Sequence, residues 1–185
     1  NGIREISTDL KSHLRSIVQN NAVFLHNEIQ ENGRFIYGYF PAYDRELKSY
    51  NTVRHCTAVY ALLETLEVDY QEKYLKKIKL AIEYAIQTFY QEAKSCGFMT
   101  DGENNTEIKL GSNAAAIFML AKYQEITQDD RYLVIAEKLA EGISKSLPVL
   151  IQKLPAIVSD IAGVINDNAP KVLVAGVNII ITLAK

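Results

Sequence analysis

Residues 55–75 read HCTAVYALLETLEVDYQEKYL and residues 113–133 read NAAAIFMLAKYQEITQDDRYL, and the second stretch lies over the first without a gap at a constant offset of 58. Ala58, Leu62, Glu67, Tyr74 and Leu75 meet identical residues, Val59 meets Ile117, Tyr60 meets Phe118, and Lys73 meets Arg131. Each copy is a nearly wholly apolar helix, a short polar turn and an amphipathic helix. A hairpin of that kind cannot bury its own apolar helix and must stack on similar hairpins. The fold class that follows is all-α, built from α/α hairpins.

Working outward, residues 3–31 read as a helix, with Ile6, Leu10, Leu14, Ile17, Asn21, Phe24 and Glu28 at helical spacing. Ser7-Thr8-Asp9 is an alternative start that leaves a loose lead-in. An aromatic-rich loop, GRFIYGYFPAYDRELKSY over 33–50, comes next, and Asn51 or Thr52 caps the first buried helix. Asp69 and Glu72 suggest a capping-box start for an amphipathic helix whose stripe is Leu75, Ile78, Ile82, Ala85 and Phe89. A second long loop covers 94–111, Ser112 is the expected cap of the second buried helix, and a turn at 127–130 leads to a helix with Leu133, Ala136, Leu139, Ala140 and Ile143 inward. The order is outer, inner, outer, inner, outer. Long loops precede the inner helices and short ones follow, so the long loops collect at one end, where free helix N–H groups also point.

Net charge is −2 with a pI near 6.0, and without a basic stripe nucleic acid is not an expected partner. Cys56 and Cys96 do not make a disulfide framework and read as reduced thiols. The chain starts Asn-Gly and shows no leader, so its localisation is open; both ends read as cut from something longer. Composition changes near 147. All 6 Phe and 11 Tyr precede it, three of the 4 prolines follow it, and the last 39 residues carry only Lys153, Asp160, Asp167, Lys171 and Lys185 as charges. Two domains are expected, 1–146 and 147–185.

Residues 3–146 resemble the α/α-toroid, or six-hairpin, superfamily of carbohydrate-active proteins. The resemblance is carried by YNTVRHCTAVYALLE (50–64), LGSNAAAIFMLAKYQEITQDDRYLVIAEKLAEGI (110–143), and the Gly33-Arg34-Phe35 and Gly97-Phe98 loop openings. It implies a funnel at the long-loop end, lined by aromatics and carboxylates that hold sugar, in an incomplete toroid. No cofactor is implied.

The candidate binding residues sit at that mouth. Arg54 and His55 open the first inner helix, and Ser112 and Asn113 hold the matching places in the second. His55 suits a general base or a sugar hydrogen bond, and Arg54 suits the carboxylate of a uronate or Asp44; alternatively both stitch the loop to the helix end. Tyr37, Tyr39, Phe40, Tyr43 and Tyr50 crowd one loop, either as a glycan platform or as a lid on the inner helices. Asp44, Glu46, Asp101, Glu103 and Glu107 supply carboxylates, and glycoside hydrolysis needs two of them roughly 5–10 Å apart. DGENNTE (101–107) lacks calcium-loop spacing and reads as a solvated loop. His13 and His26 are too far apart to share a metal, and no metal site is expected.

The tail, LPVLIQKLPAIVSDIAGVINDNAPKVLVAGVNIIITLAK, has a period of 22 that brings Pro148 onto Pro170. Leu150, Ile151, Ile157, Val158 and Ile161 then fall on Val172, Leu173, Ile179, Ile180 and Leu183. Each unit reads as a helix opened by a proline, with a break at Asn166-Asp167-Asn168-Ala169-Pro170. The LPVLI, LPAIV and APKVLVAG runs resemble the helical repeats of phage tail tape-measure proteins, which implies a structural role. Two other readings compete: a membrane span, for which the uncharged run of 13 residues at 172–184 falls short of the roughly 20 needed, and the missing inner helix of a third hairpin. The functional expectation is a carbohydrate-binding or carbohydrate-processing toroid piece without turnover of its own. The alternative is a structural or assembly protein that self-associates through the apolar tail.

Overall fold

The computed structural model describes residues 9–103 and 107–183. Ile6, Ser7 and Thr8 of the expected lead-in, and residues 104–106 of the DGENNTE loop, lie outside them, as do the side chains of most of the repeated apolar positions in the tail. The fold is predominantly α. The chain divides into two units, Asn1–Ile143 and Ser144–Lys185.

In the first unit, α1 (Leu10–Asn27), α2 (Thr52–Val68), α3 (Glu72–Phe89) and α4 (Leu110–Thr127) surround one core, and α5 (Leu133–Leu183) begins there. The two inner helices, α2 and α4, pack side by side in parallel. Residues at and near the repeat offset touch: the rings of Tyr60 and Phe118, 58 positions apart in sequence, are 6.5 Å apart in mid-helix, and toward the C-terminal ends Lys122 of α4 bridges Glu67 of α2 at 2.6 Å as well as Glu125 of its own helix at 3.1 Å. A mid-helix contact and a second one toward both C-terminal ends make the axes parallel with little stagger. Ala115 and Ala116 are small enough to let the two backbones approach, and Cys56, Val59, Leu62, Leu63, Met119, Leu120 and Tyr123 fill the space around them. The α3 stripe is buried as its periodicity indicates, from Leu75 to Phe89, and Ala136 and Leu139 close the core from α5.

Helix α1 departs from its expected face. Leu10, Leu14, Ile17 and Phe24 are exposed, Phe24 by 61%. The buried face is instead Ala22, His26 and Ile29, with Leu25 half-buried. Phe24 lies two residues from both Ala22 and His26, about 200° around the helix, so both sets cannot face inward. The C-terminal end decides between them. His26 stacks on Tyr74 with centroids 4.0 Å apart, Lys77 Nζ donates to the His26 carbonyl at 2.8 Å, and Ile29 pairs with Phe35.

The helix starts also sharpen the sequence reading. Asp9 caps α1 by accepting from Ser12 N–H at 3.1 Å, and Asn51 caps α2 by accepting from Arg54 N–H at 2.9 Å. The capping box at Asp69 does not form. α3 begins after Gln71, and the Asp69 carboxylate accepts from the Gln71 side chain at 2.8 Å. Ser112 is no cap either, because α4 starts at Leu110 and the Ser112 side chain is buried inside the helix. Each long loop contains a small hairpin that helical periodicity could not reveal. β1 (Tyr39–Phe40) pairs with β2 (Arg45–Glu46) around the turn Pro41–Tyr43, and β3 (Tyr90–Ala93) pairs with β4 (Cys96–Met99).

In the second unit the expected break at 166–170 is absent. The helix is continuous from Leu133 to Leu183 with Pro148, Pro155 and Pro170 inside it, so these prolines do not open separate helices. A proline removes one N–H and crowds the carbonyl four residues back. Here those carbonyls belong to Ser144, Ile151 and Asn166, all exposed residues, where a backbone carbonyl is open to solvent instead of being left orphaned in a core. No helix among the described residues is long and apolar enough to cross a membrane.

Candidate functional site at the loop-bearing helix ends

The N-termini of α2 and α4 meet at the segment 99–101. Asp101, 6% exposed, is the hub. One carboxylate oxygen accepts from Asn51 Nδ2 at 3.0 Å and from the Thr52 backbone N–H at 3.2 Å; the other accepts from Lys109 Nζ at 2.6 Å. A buried carboxylate at a helix N-terminus is stabilised by free N–H groups and the positive dipole end. Thr52 completes the joint: its hydroxyl donates to the Thr100 carbonyl at 2.8 Å and accepts from Gly102 N–H at 2.9 Å. In the second repeat, Asn113 accepts from Met99 N–H at 2.9 Å and donates to the Lys109 carbonyl at 2.8 Å. Ser112 Oγ has no hydrogen-bond partner among the described residues.

His55 occupies the place equivalent to Asn113 and is 2% exposed. Its Nε2 lies 2.8 Å from the Ala81 carbonyl and its Nδ1 2.7 Å from the Tyr50 hydroxyl. The carbonyl can only accept, so Nε2 carries the proton and Nδ1 accepts from Tyr50, whose oxygen also takes the Phe35 N–H at 3.1 Å. Burial lowers the imidazole pKa to about 4. A neutral ring with both nitrogens engaged has no lone pair left for a substrate proton, so the geometry gives His55 the stitching role between the 33–50 loop, α2 and α3.

Beside it lies a group that helical spacing did not single out. Arg34 donates from Nε to Glu103 and sits 4.5 Å over the Tyr50 ring. Tyr84 donates to the same Glu103 oxygen at 2.5 Å. Burial alone would raise the Glu103 carboxyl, but the bonds from Arg34 and Tyr84 overcome it and hold it below the ordinary carboxylate value. This joins the two long loops across α3. The signal available in the sequence was a tyrosine at the edge of the α3 stripe and an arginine in the Gly33-Arg34-Phe35 opening; their common partner Glu103 lies 69 residues from Arg34.

The remaining candidates are solvent-facing. Arg54 is exposed and lies over the Tyr37 ring at 5.4 Å, and Tyr37 leans on Tyr50. Tyr43, 72% exposed, projects from the β1–β2 turn with Tyr39 and Phe40, and Arg45 stands 5.4 Å over Tyr43 and 5.6 Å over Phe40. Asp44 holds a left-handed backbone at φ 48° and accepts from Tyr39 rather than from Arg54. The structure thus brings Arg54 and Tyr37 to the His55 cluster, ties Asp101 to Asn113 through Lys109 and Met99, and places Tyr43 and Asp44 on the hairpin tip. A pocket of about 80 Å³ lies instead toward the other end of α2, between Val18, Ala22, Val68, Asp69 and Tyr74. Among the described residues no cluster of His, Cys, Asp and Glu could hold a metal. No family model, curated protein or solved structure matches the chain.

Proposed function

We propose that the first unit is a piece of α/α-toroid type that binds carbohydrate without turning it over. The observation that carries this reading is the hairpin tip, where Tyr39, Phe40 and Tyr43 are 50%, 40% and 72% exposed. Rings left in water forgo burial, and the C–H faces of a sugar recover that loss by packing on them. Parallel α2 and α4, with both long loops at their N-termini, also support a toroid-like stack. Arg45, exposed beside Phe40 and Tyr43, and Arg54, exposed over Tyr37, suit the carboxylate of a uronate. Absence of turnover follows from the state of the buried groups. Asp101 is bonded to Lys109, Glu103 to Arg34, and His55 has both nitrogens engaged, so none is left as a free acid or base. NMR titration with neutral and uronate oligosaccharides tests the reading. Shifts confined to 37–46 and Arg54 at millimolar sugar are expected, lost in Tyr43→Ala; a flat titration of the folded protein refutes it.

A second reading, a structural or assembly protein, is favoured by one separate observation. α5 runs for 51 residues and exposes large apolar side chains from Leu147 onward, among them Val149, Ile151, Leu154 and Val158.

A further inference from the structure

A helix unbroken through Pro170 allows one periodicity to be followed along the whole tail, and the apolar residues obey a step of 11. Positions 147, 150, 151 and 154 are LLIL; 158, 161, 162 and 165 are VIAI; 169, 172, 173 and 176 are AVLG; 180 and 183 are I and L. All of these positions are apolar or glycine, with no polar side chain among them. The charges Lys153, Asp160, Asp167 and Lys171 and all three prolines of the tail fall elsewhere in the register. A heptad reading started at Leu147 does worse, since it puts Asn168 and Thr182 in the seam. Eleven residues in three turns is about 3.67 per turn, the period of a helix that supercoils gently to the right around a partner.

The seam is uncovered where its side chains are described: Leu147, Ile151, Leu154 and Val158 are 43%, 59%, 51% and 58% exposed. Length identifies the occupant. From 147 to 183 the seam extends roughly 55 Å. Helices α1 to α4 have 17 or 18 residues and span about half of that. The element of this chain that matches the seam in length and in pattern is the tail of another copy. A contact strip about 55 Å long and about 10 Å wide exceeds roughly 500 Å² per copy, enough for a specific interface. We infer that the 147–183 helix is a homo-oligomerisation element, joining copies of this chain through an 11-residue apolar seam. This deepens the assembly reading and is independent of the carbohydrate one.

Sedimentation equilibrium of the full 185-residue chain tests it. Assembly with a defined mass of two or more copies is expected at micromolar concentration. Ile151→Asp combined with Val158→Asp places charges in the seam and should weaken association by about 100-fold or more, with the tyrosine near-UV signal of the first unit retained. Gln152→Glu adds a charge outside the seam and should leave the mass unchanged. Asn168→Leu should also be neutral; tighter assembly would overturn the 11-residue register in favour of heptads. A monomer at about 100 µM, polydisperse association unaffected by the seam charges, or partition into phosphatidylcholine vesicles in place of self-association would each overturn the proposal.

Discussion

Helix α4 and the tail are both rich in apolar residues and poor in charge, yet they end in opposite environments. In α4, Ala116, Met119, Leu120 and Tyr123 are at most 1% exposed; in the tail, Ile151, Leu154 and Val158 are all more than half exposed. Apolar content alone therefore does not decide burial. α4 has a parallel neighbour of its own length, and Asn113 locks its first turn to Met99. The tail has the same driving force, and among the described residues of the first unit α1 to α4 offer no helix of matching length.

The sharpest way to break this contrast is to place the same charge on both helices. Ala116→Glu in α4 buries a carboxylate at a position 1% exposed within the apolar core, and should cost about 4 kcal/mol or abolish folding. Ala156→Glu on the exposed and register-neutral side of the tail should change stability by no more than about 0.5 kcal/mol. Urea unfolding compares them, followed by tyrosine fluorescence for the first unit and by helical circular dichroism for the tail, which has no tyrosine; a near-native midpoint for Ala116→Glu would undo the packing of α2 on α4.

Acid should separate the two units next. His26 and His55 are both lowered from 6.5 to about 4, chiefly by burial, with Lys77 and Lys73 adding to the effect at His26. The unfolded chain then binds more protons than the folded one between about pH 6.5 and 4, so stability is complete above that window and falls as pH drops through it. The loss is on the order of 3 kcal/mol for each ring. The tail has no histidine, so its helical circular dichroism should persist where the tyrosine signal of the first unit is lost. Neither His26 nitrogen has a hydrogen-bond partner among the described residues, so His26→Phe should keep the stack on Tyr74 and flatten the acid slope. An unchanged slope in that variant would assign the acid response to His55.

The parts legible in the sequence were those with a periodic signal. The offset of 58 gave α2, α4 and their equivalence, and the stripe from Leu75 to Phe89 gave α3. Where two stripes competed on one helix, periodicity could not choose. On α1 the more apolar stripe, Leu10 to Phe24, lost to the one fixed by the His26–Tyr74 stack and the Ile29–Phe35 pair, which are tertiary contacts. The site was legible only in part for a similar reason. The His55 position pointed to an important place, but its partners Tyr50 and Ala81 come from a loop and another helix, and the Arg34–Glu103 pair spans 69 residues. The tail prolines misled because a local helix-start preference was read without the solvent exposure that lets a long helix absorb them.

Two glycines on α5 give finer tests, one in each unit. A Cβ at Gly142 would land on the Gly97 carbonyl oxygen, a backbone atom held in the β3–β4 hairpin. Gly142→Ala should therefore destabilise the first unit by about 2 kcal/mol, in spite of the better helix propensity of alanine.

Gly163, on the same helix, has nothing within 4 Å of its virtual Cβ. Alanine there meets no neighbour, and it removes the conformational freedom that glycine brings to the unfolded chain. It also falls outside the 11-residue seam, so assembly gains no contact from the added methyl. Gly163→Ala should raise tail stability by about 0.5–1 kcal/mol, seen as a higher midpoint in the 222 nm melting of the helix, with no change in oligomer mass. A loss of stability at Gly163 comparable to that at Gly142 would mean that position 163 is enclosed in the assembled protein. The seam would then have to be widened to include that face, and the contrast between the buried inner helix and the open tail would hold only for the single chain.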